Sequence, residues 1–234
     1  CILKDYPKAT EIYLNLAKNP ALEEEMLFQV ALIQSEYNKE LALGTLDQIA
    51  KLGRKRAKEA TYNKMVIAFE MGRYEEVAKE NYLQGIPLEK IGIARLFVGR
   101  SLLHLKNYEG AMKELKAYVD NASPSEALYA ALLSLLDASY QCSDLASLDE
   151  AIEKLKKHYP TDLELPKAYF SRAQLLKRSE RFTEAKEQLE SLLAHFPSFA
   201  QKAQAAFELC HLAYKEKLWE SCYENCLQFL NAFP

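Results

Sequence analysis

Apolar residues recur at spacings of three and four along nearly the whole chain, as in Leu145, Leu148, Ile152 and Leu155, or Phe182, Ala185, Leu189 and Leu192. That rhythm puts each set on one face of a helix and leaves polar residues around the rest. It predicts helix pairs at roughly 21–37 with 39–52, 56–71 with 74–85, 88–106 with 108–121, 124–141 with 145–158, 162–179 with 182–195 and 198–216 with 219–233, after a short helix near 8–18. Helices with one apolar stripe are marginal alone, so these are expected to stack. Links of about two to five residues make neighbours antiparallel.

The pattern is punctuated at a fixed interval. Pro160, Pro197 and Pro234 each follow an aromatic ring (Tyr159, Phe196, Phe233), and 197 − 160 = 234 − 197 = 37. The residues that open the second helix of successive pairs, Tyr74, Tyr108, Leu145, Phe182 and Trp219, step by 34, 37, 37 and 37. Two positions moving together in this way mark a helical-repeat array. Ser123-Pro124-Ser125-Glu126, Thr161-Asp162-Leu163-Glu164 and Ser198-Phe199-Ala200-Gln201 each set a hydroxyl three residues before Glu or Gln. That is the capping-box spacing, with Pro124 expected at a first helical position.

Composition narrows the function class. The chain has 234 residues, 49% of them hydrophobic, with seven glycines and eight prolines placed where helices are expected to end. Such sparing use of both residues suits an all-α protein. Thirty basic against thirty-three acidic residues give a net charge of −3, so no global field recruits nucleic acid or an anionic membrane. No apolar run reaches the ~18 residues needed to span a bilayer. The N-terminus has neither an initiating Met nor a signal-peptide pattern. The chain is therefore expected to be a piece of a longer protein, and Ile2 to Pro7, which resembles the helix ends at Leu155 to Pro160 and Leu192 to Pro197, is expected to close an earlier unit.

Residues with chemical potential are few. Cys210, Cys222 and Cys226 could form a redox pair or part of a zinc site, but no further Cys or His completes a recognisable ligand spacing, and small buried packing residues are the expectation. His158 and His195 lie 37 apart. They read as two copies of a helix-end feature, where a cation favours the dipole, rather than as a catalytic pair. Gly53-Arg54-Lys55-Arg56-Ala57-Lys58 is the one concentrated basic run; it could hold phosphate or lipid, yet Glu59 follows without interleaved aromatics, and a solvated turn is favoured. No nucleotide loop, nucleophile elbow or metalloprotease motif occurs.

These features resemble the tetratricopeptide repeat, a helix–turn–helix unit with small residues where its two helices touch and a proline at its end. Ala173, Ala185, Leu189 and Pro197 match in one unit, Gly99, Ala111 and Leu115 in another, and Cys210, Cys222 and Cys226 in the last; Tyr74 follows Met71-Gly72-Arg73 as in the family's turn. The resemblance implies a right-handed α-solenoid running through 1–234, with units of roughly 21–54, 58–91, 92–128, 129–165, 166–202 and 203–234. The three extra residues of the later units are expected to lengthen each first helix by about one turn, ~4.5 Å.

The resemblance also implies function. In this family the first helices line a concave groove for a peptide or helix of a partner, which here selects Arg100, Tyr140, Phe170, Gln174, Lys177, Phe207, His211 and Tyr214, with Phe170 and Phe207 as anchors and with Lys177 and Arg178 expected to speed association with an acidic partner. The family's Lys and Asn clamp for chaperone carboxyl termini is replaced by Phe170 with Gln174 and Phe207 with His211. The expectation is a non-catalytic adaptor or scaffold without cofactor or metal, binding a protein and not nucleic acid, with self-association through the ends of the stack as a further expectation. The alternative is a helical domain appended to an enzyme whose active site lies elsewhere. Helix ends such as Leu155-Lys156-Lys157-His158-Tyr159-Pro160 are also similar to those of bacterial envelope repeat proteins, which implies a periplasmic or envelope location, with the cytoplasm as alternative.

Overall fold

The computed structural model describes residues 5–79 and 82–233. Among them there are helices and no strands. The α-helices are α1 Tyr6–Leu16, α2 Glu23–Tyr37, α3 Lys39–Leu52, α4 Ala57–Glu70, α5 Tyr74–Val77, α6 Ile91–His104 and α7 Tyr108–Val119, then α8 Glu126–Gln141, α9 Leu145–His158, α10 Leu165–Arg178, α11 Phe182–His195, α12 Lys202–Lys215 and α13 Trp219–Ala232. They fall into two compact units, Cys1–Ser123 and Pro124–Pro234. Each is an all-α stack of tetratricopeptide-like hairpins in which consecutive helices pack on one another.

Apart from the α2–α3 hairpin, which turns at extended Asn38, the turns inside the hairpins are built the same way. Gly72, Lys106, Ser143, Glu180 and Lys217 all have positive φ, between 57° and 74°, and their positions step by 34, 37, 37 and 37. The amide after each reaches back five residues, Arg73 to Ala68, Asn107 to Leu102, Asp144 to Ser139, Arg181 to Leu176 and Leu218 to Ala213, every one at 2.9 Å. This is the left-handed helix stop that glycine normally fills. The side chains of Asn107 and Asp144 then cap the following helix through the amides of Gly110 and Ser147. Four of the five left-handed positions carry side chains that favour other conformations. Replacing Glu180 or Lys217 with glycine is accordingly expected to raise stability by about 0.5–1 kcal/mol each, measured as a higher urea midpoint at unchanged m-value; a lower midpoint would show that these turns are not strained.

The helix starts differ from the capping-box expectation. Ser125, not Ser123, caps α8 by accepting the Leu128 amide at 3.2 Å, so Pro124 stays outside the helix. At the next start Asp162 accepts the Glu164 amide (2.7 Å) and the Tyr129 hydroxyl (3.2 Å). That side-chain turn holds the chain out of helix until Leu165. α12 begins at Lys202 with no side-chain cap, and buried Phe199 anchors the approach instead. Before α10 and α12 the three extra residues therefore lengthen the links (159–164, 196–201) and not the first helices, which have 14 residues as α6 does, whereas α8 has 16.

Two further expectations are corrected. Tyr6 and Pro7 open α1, with Asp5 accepting the Lys8 amide at 3.2 Å; the rest of the segment expected to close an earlier unit, Ile2 to Lys4, lies outside the described residues. The helix expected over 74–85 is only four residues long. After it, a 3₁₀ turn at Tyr82–Gly85 lays buried Ile86 into the core with Val77, Met65 and Val98. Gly85 sits so close to Thr61 that a β-carbon there would lie 3.2 Å from its methyl, and Pro87 has no amide to donate to a helix. Pro160 and Pro197 do follow helix C-caps, at Tyr159 and Phe196. Pro234 lies outside the described residues.

The basic run is the exposed turn expected at its start, 53–55, and carboxylates engage two of its cations. Arg54 pairs with Glu23 and Arg56 with Glu25, both at 3.0 Å, and Arg56 also meets Glu59. The Arg56 guanidinium lies over the Phe28 ring, 4.8 Å from its centre, and its amide donates to Glu24 at 2.8 Å. Three consecutive glutamates at the start of α2 thus staple the turn after α3.

Candidate functional site

Within the second unit the hairpins place α8, α10 and α12 as the successive first helices, and seven of the eight expected site residues lie on them. Tyr140 at the end of α8 reaches α10. Its hydroxyl donates to Gln174 at 2.6 Å and accepts from Arg178 at 2.7 Å, while the Arg178 guanidinium stacks 4.6 Å from the ring centre. A cleft of about 190 Å³ opens beside them between α8 and α10, lined by Leu133, Asp137, Tyr140, Lys167 and Ser171. Lys177 continues the face to α12. It pairs with Glu208 at 2.6 Å, and His211 Nδ1 stands 3.8 Å from the same carboxylate.

Along α12 itself, Phe207, His211 and Tyr214 fall at i, i+4 and i+7, hence on one side of the helix. Phe207 is 56% exposed and Tyr214 59% exposed. Each is held from behind by a ring of α13: Phe229 edge-on to Phe207 and Trp219 edge-on to Tyr214, both with ring centres 5.8 Å apart. Rings that are exposed yet fixed in place present contact area at little entropic cost on binding.

Two of the sequence expectations do not hold here. Phe170 is 4% exposed and packs against Phe199 and the buried leucines between α10, α11 and α12. An anchor must be open to a partner, and this ring is core. Lys177 is not a free cation, because Glu208 occupies it; the residue 31 positions later left no pattern in the sequence that would have paired them. Exchange of Lys177 for Glu would set two carboxylates together on half-buried sites and disturb the fold as well as any partner. Arg100 belongs to the first unit, where it stacks over Phe69 at 5.2 Å from the ring centre.

Of the three thiols expected to be buried packing residues, Cys210 is buried, whereas Cys222 and Cys226 are half-buried. Cys222 Sγ donates to the Cys210 carbonyl at 3.6 Å, where α12 and α13 cross. Burial first, and then the neighbouring Cys226, push the Cys210 thiol up to about 11; burial likewise raises Cys222. A thiol whose pKa is raised on folding stays protonated in the folded chain while the unfolded chain ionises, so stability falls as pH rises between about 9 and 11. Cys210→Ala is expected to flatten that fall, read from urea midpoints at pH 8, 9.5 and 11. An unchanged slope would separate it from Cys210. Among the described residues no group of three or more His, Cys, Asp or Glu is arranged to hold a metal ion. His158 and His195 both sit in the last turn of a second helix, and His195 Nδ1 lies 2.8 Å from the Ser191 carbonyl.

No protein-family model matches the chain, and no curated protein does. Among solved structures, the chain is similar to a human IFIT1 dimer with PPP-AAAA at 17% identity and a TM-score of 0.35, over 96% of this chain and 55% of that one. The chain thus spans little more than half the length of that protein, and at this level of likeness no function passes from one to the other.

Proposed function

We propose that the chain is a non-catalytic interaction scaffold of tetratricopeptide type, and that the first-helix face of its second unit receives a peptide or helix of a partner protein. The observation that carries this reading is the stripe Phe207, His211 and Tyr214, two exposed rings fixed by Phe229 and Trp219 with a polar group between them. Clusters of this kind, aromatic anchors with a few polar groups, suit the recognition of protein segments. Tyr140, Gln174 and Arg178 extend it with groups that can donate and accept. A protein partner is favoured over nucleic acid because the net charge is −3 and cations such as Arg56, Arg95 and Arg172 are engaged by carboxylates. The resemblance of its helix ends supports placement at a bacterial envelope, which fractionation of the source cells would test.

The site is tested by placing a photo-crosslinking amino acid at position 211 of the full chain, in its own cells, and titrating whatever protein is captured. The double exchange of Phe207 and Tyr214 for Ala is expected to weaken that protein's binding by thirtyfold or more, about 2 kcal/mol, with helix content and melting unchanged. Equal affinity with intact folding would place the site elsewhere.

A further inference from the structure

Of the eight arginines in the chain, six hold a carboxylate: Arg54, Arg56, Arg73, Arg95, Arg172 and Arg181 each pair with a Glu or Asp. Among the described residues the other two, Arg100 and Arg178, meet no carboxylate and lie over aromatic rings instead. Arg100 is half-buried, whereas Arg178 is exposed at the end of α10. That exposure is not set by an end of the sequence, because α8 precedes α10 and α12 follows it within the same unit. Arg178 is also held in one orientation. Its guanidinium lies 4.6 Å from the centre of the Tyr140 ring and donates from Nη2 to the Tyr140 hydroxyl at 2.7 Å, while that hydroxyl is itself fixed by donating to Gln174 at 2.6 Å.

Among the described residues no other acceptor meets this guanidinium, so most of its N–H groups stay open to a ligand. The planar fork fits a carboxylate through two parallel hydrogen bonds, and holding it by stacking lowers the entropy lost when that contact forms. The charges around it favour one carboxylate over a polyanion. Lys167 is taken by Glu164 and Lys177 by Glu208, both at 2.6 Å, and exposed Asp137 lines the cleft beside Tyr140. A chain of phosphates laid along this face would be repelled by those acids, whereas a single acidic side chain reaches Arg178 without meeting them. We propose that the partner segment received by this face carries an Asp or Glu whose carboxylate docks on Arg178, with its neighbouring residues in the cleft between α8 and α10. This rests on the reading of the first-helix face given above and names the chemistry of the segment that it takes.

Random peptides displayed on phage are selected in parallel on the full chain, on Arg178→Gln and on the double exchange of Phe207 and Tyr214 for Ala. Binders of the unaltered chain are expected to carry an Asp or Glu at one recurrent position, and the Arg178→Gln pool to lose it. One such peptide is then synthesised with its acid and with the matching amide. Removing the acid or exchanging Arg178 for Gln should each weaken binding about tenfold, and doing both should be no worse than doing one. Arg178→Lys should restore part of the loss, since the charge returns without the planar fork. Helix content should stay unchanged, and the amide peptide makes the test without altering the protein. Additive losses, or an acid preference that survives Arg178→Gln, overturn the proposal, as does tighter binding of oligouridylate that Arg178→Gln abolishes. Binders that need Phe207 and Tyr214 but share no acid also overturn it, and leave the reading of the face intact. Binders indifferent to all three residues, or no binders, overturn that reading and this proposal with it.

Discussion

Replacing Phe170 with alanine is expected to destabilise the second unit by about 3–5 kcal/mol, the usual cost of removing a buried aromatic ring and leaving a cavity. The ring is 4% exposed and lies 5.9 Å, centre to centre, from Phe199. Leu176, Leu189 and Leu212 share its surroundings and are all buried, so little can collapse into the space. Phe207 provides the contrast. It occupies the position of Phe170 one repeat later, since 207 − 170 = 37, yet it is 56% exposed, and its removal is expected to cost less than about 1 kcal/mol of stability. Urea denaturation followed by circular dichroism measures both. Similar small losses for the two exchanges would mean that Phe170 is not core, and would restore it as a candidate anchor.

That pair shows what the sequence could reveal and where it stopped. Periodicity locates the helices because a stripe of apolar residues is a local property, and the repeat of 37 fixes which small residues meet. Gly99 lies against Ala111, and Cys222 against Cys210, as the register implies. Exposure is not local. Phe170 and Phe207 are equivalent in sequence, and the difference lies in Phe199 and the leucines of neighbouring helices that pack around the first. Ion pairs are equally opaque. Lys177 with Glu208 and Arg56 with Glu25 are each 31 residues apart, and they form because consecutive helices face one another, not because of any pattern within a helix. The capping boxes misled for a physical reason: Asp162 competes with Thr161 for the same amides and wins by forming its own turn. The helix expected at 74–85 failed where Gly85 and Pro87 leave a short turn able to bury Ile86 directly.

Gly99 offers the sharpest test of the helix crossing in the first unit. A β-carbon at this position would lie 2.7 Å from Leu115 Cγ, 3.0 Å from Leu115 Cδ2 and 3.3 Å from the Ala111 carbonyl oxygen. Leu115 is fully buried and cannot swing aside, and the carbonyl belongs to the backbone of α7. Two effects oppose each other in Gly99→Ala. Helix propensity favours alanine by about 1 kcal/mol, while overpacking costs about 1–3 kcal/mol, so the net change is a loss of up to about 2 kcal/mol. Valine has no such compensation, because it adds branched bulk at the tightest point, and Gly99→Val is expected to cost about 3 kcal/mol. Leu115→Ala alone should cost about 2–5 kcal/mol through its cavity. Combined with Gly99→Val it makes room for the added methyls, so the double exchange should be less damaging than the sum of the two by about 0.5–3 kcal/mol. Urea midpoints of the four proteins complete the cycle. Additive losses would show that α6 and α7 do not cross at Gly99, and a gain in stability from Gly99→Ala would show that the crossing has room to spare.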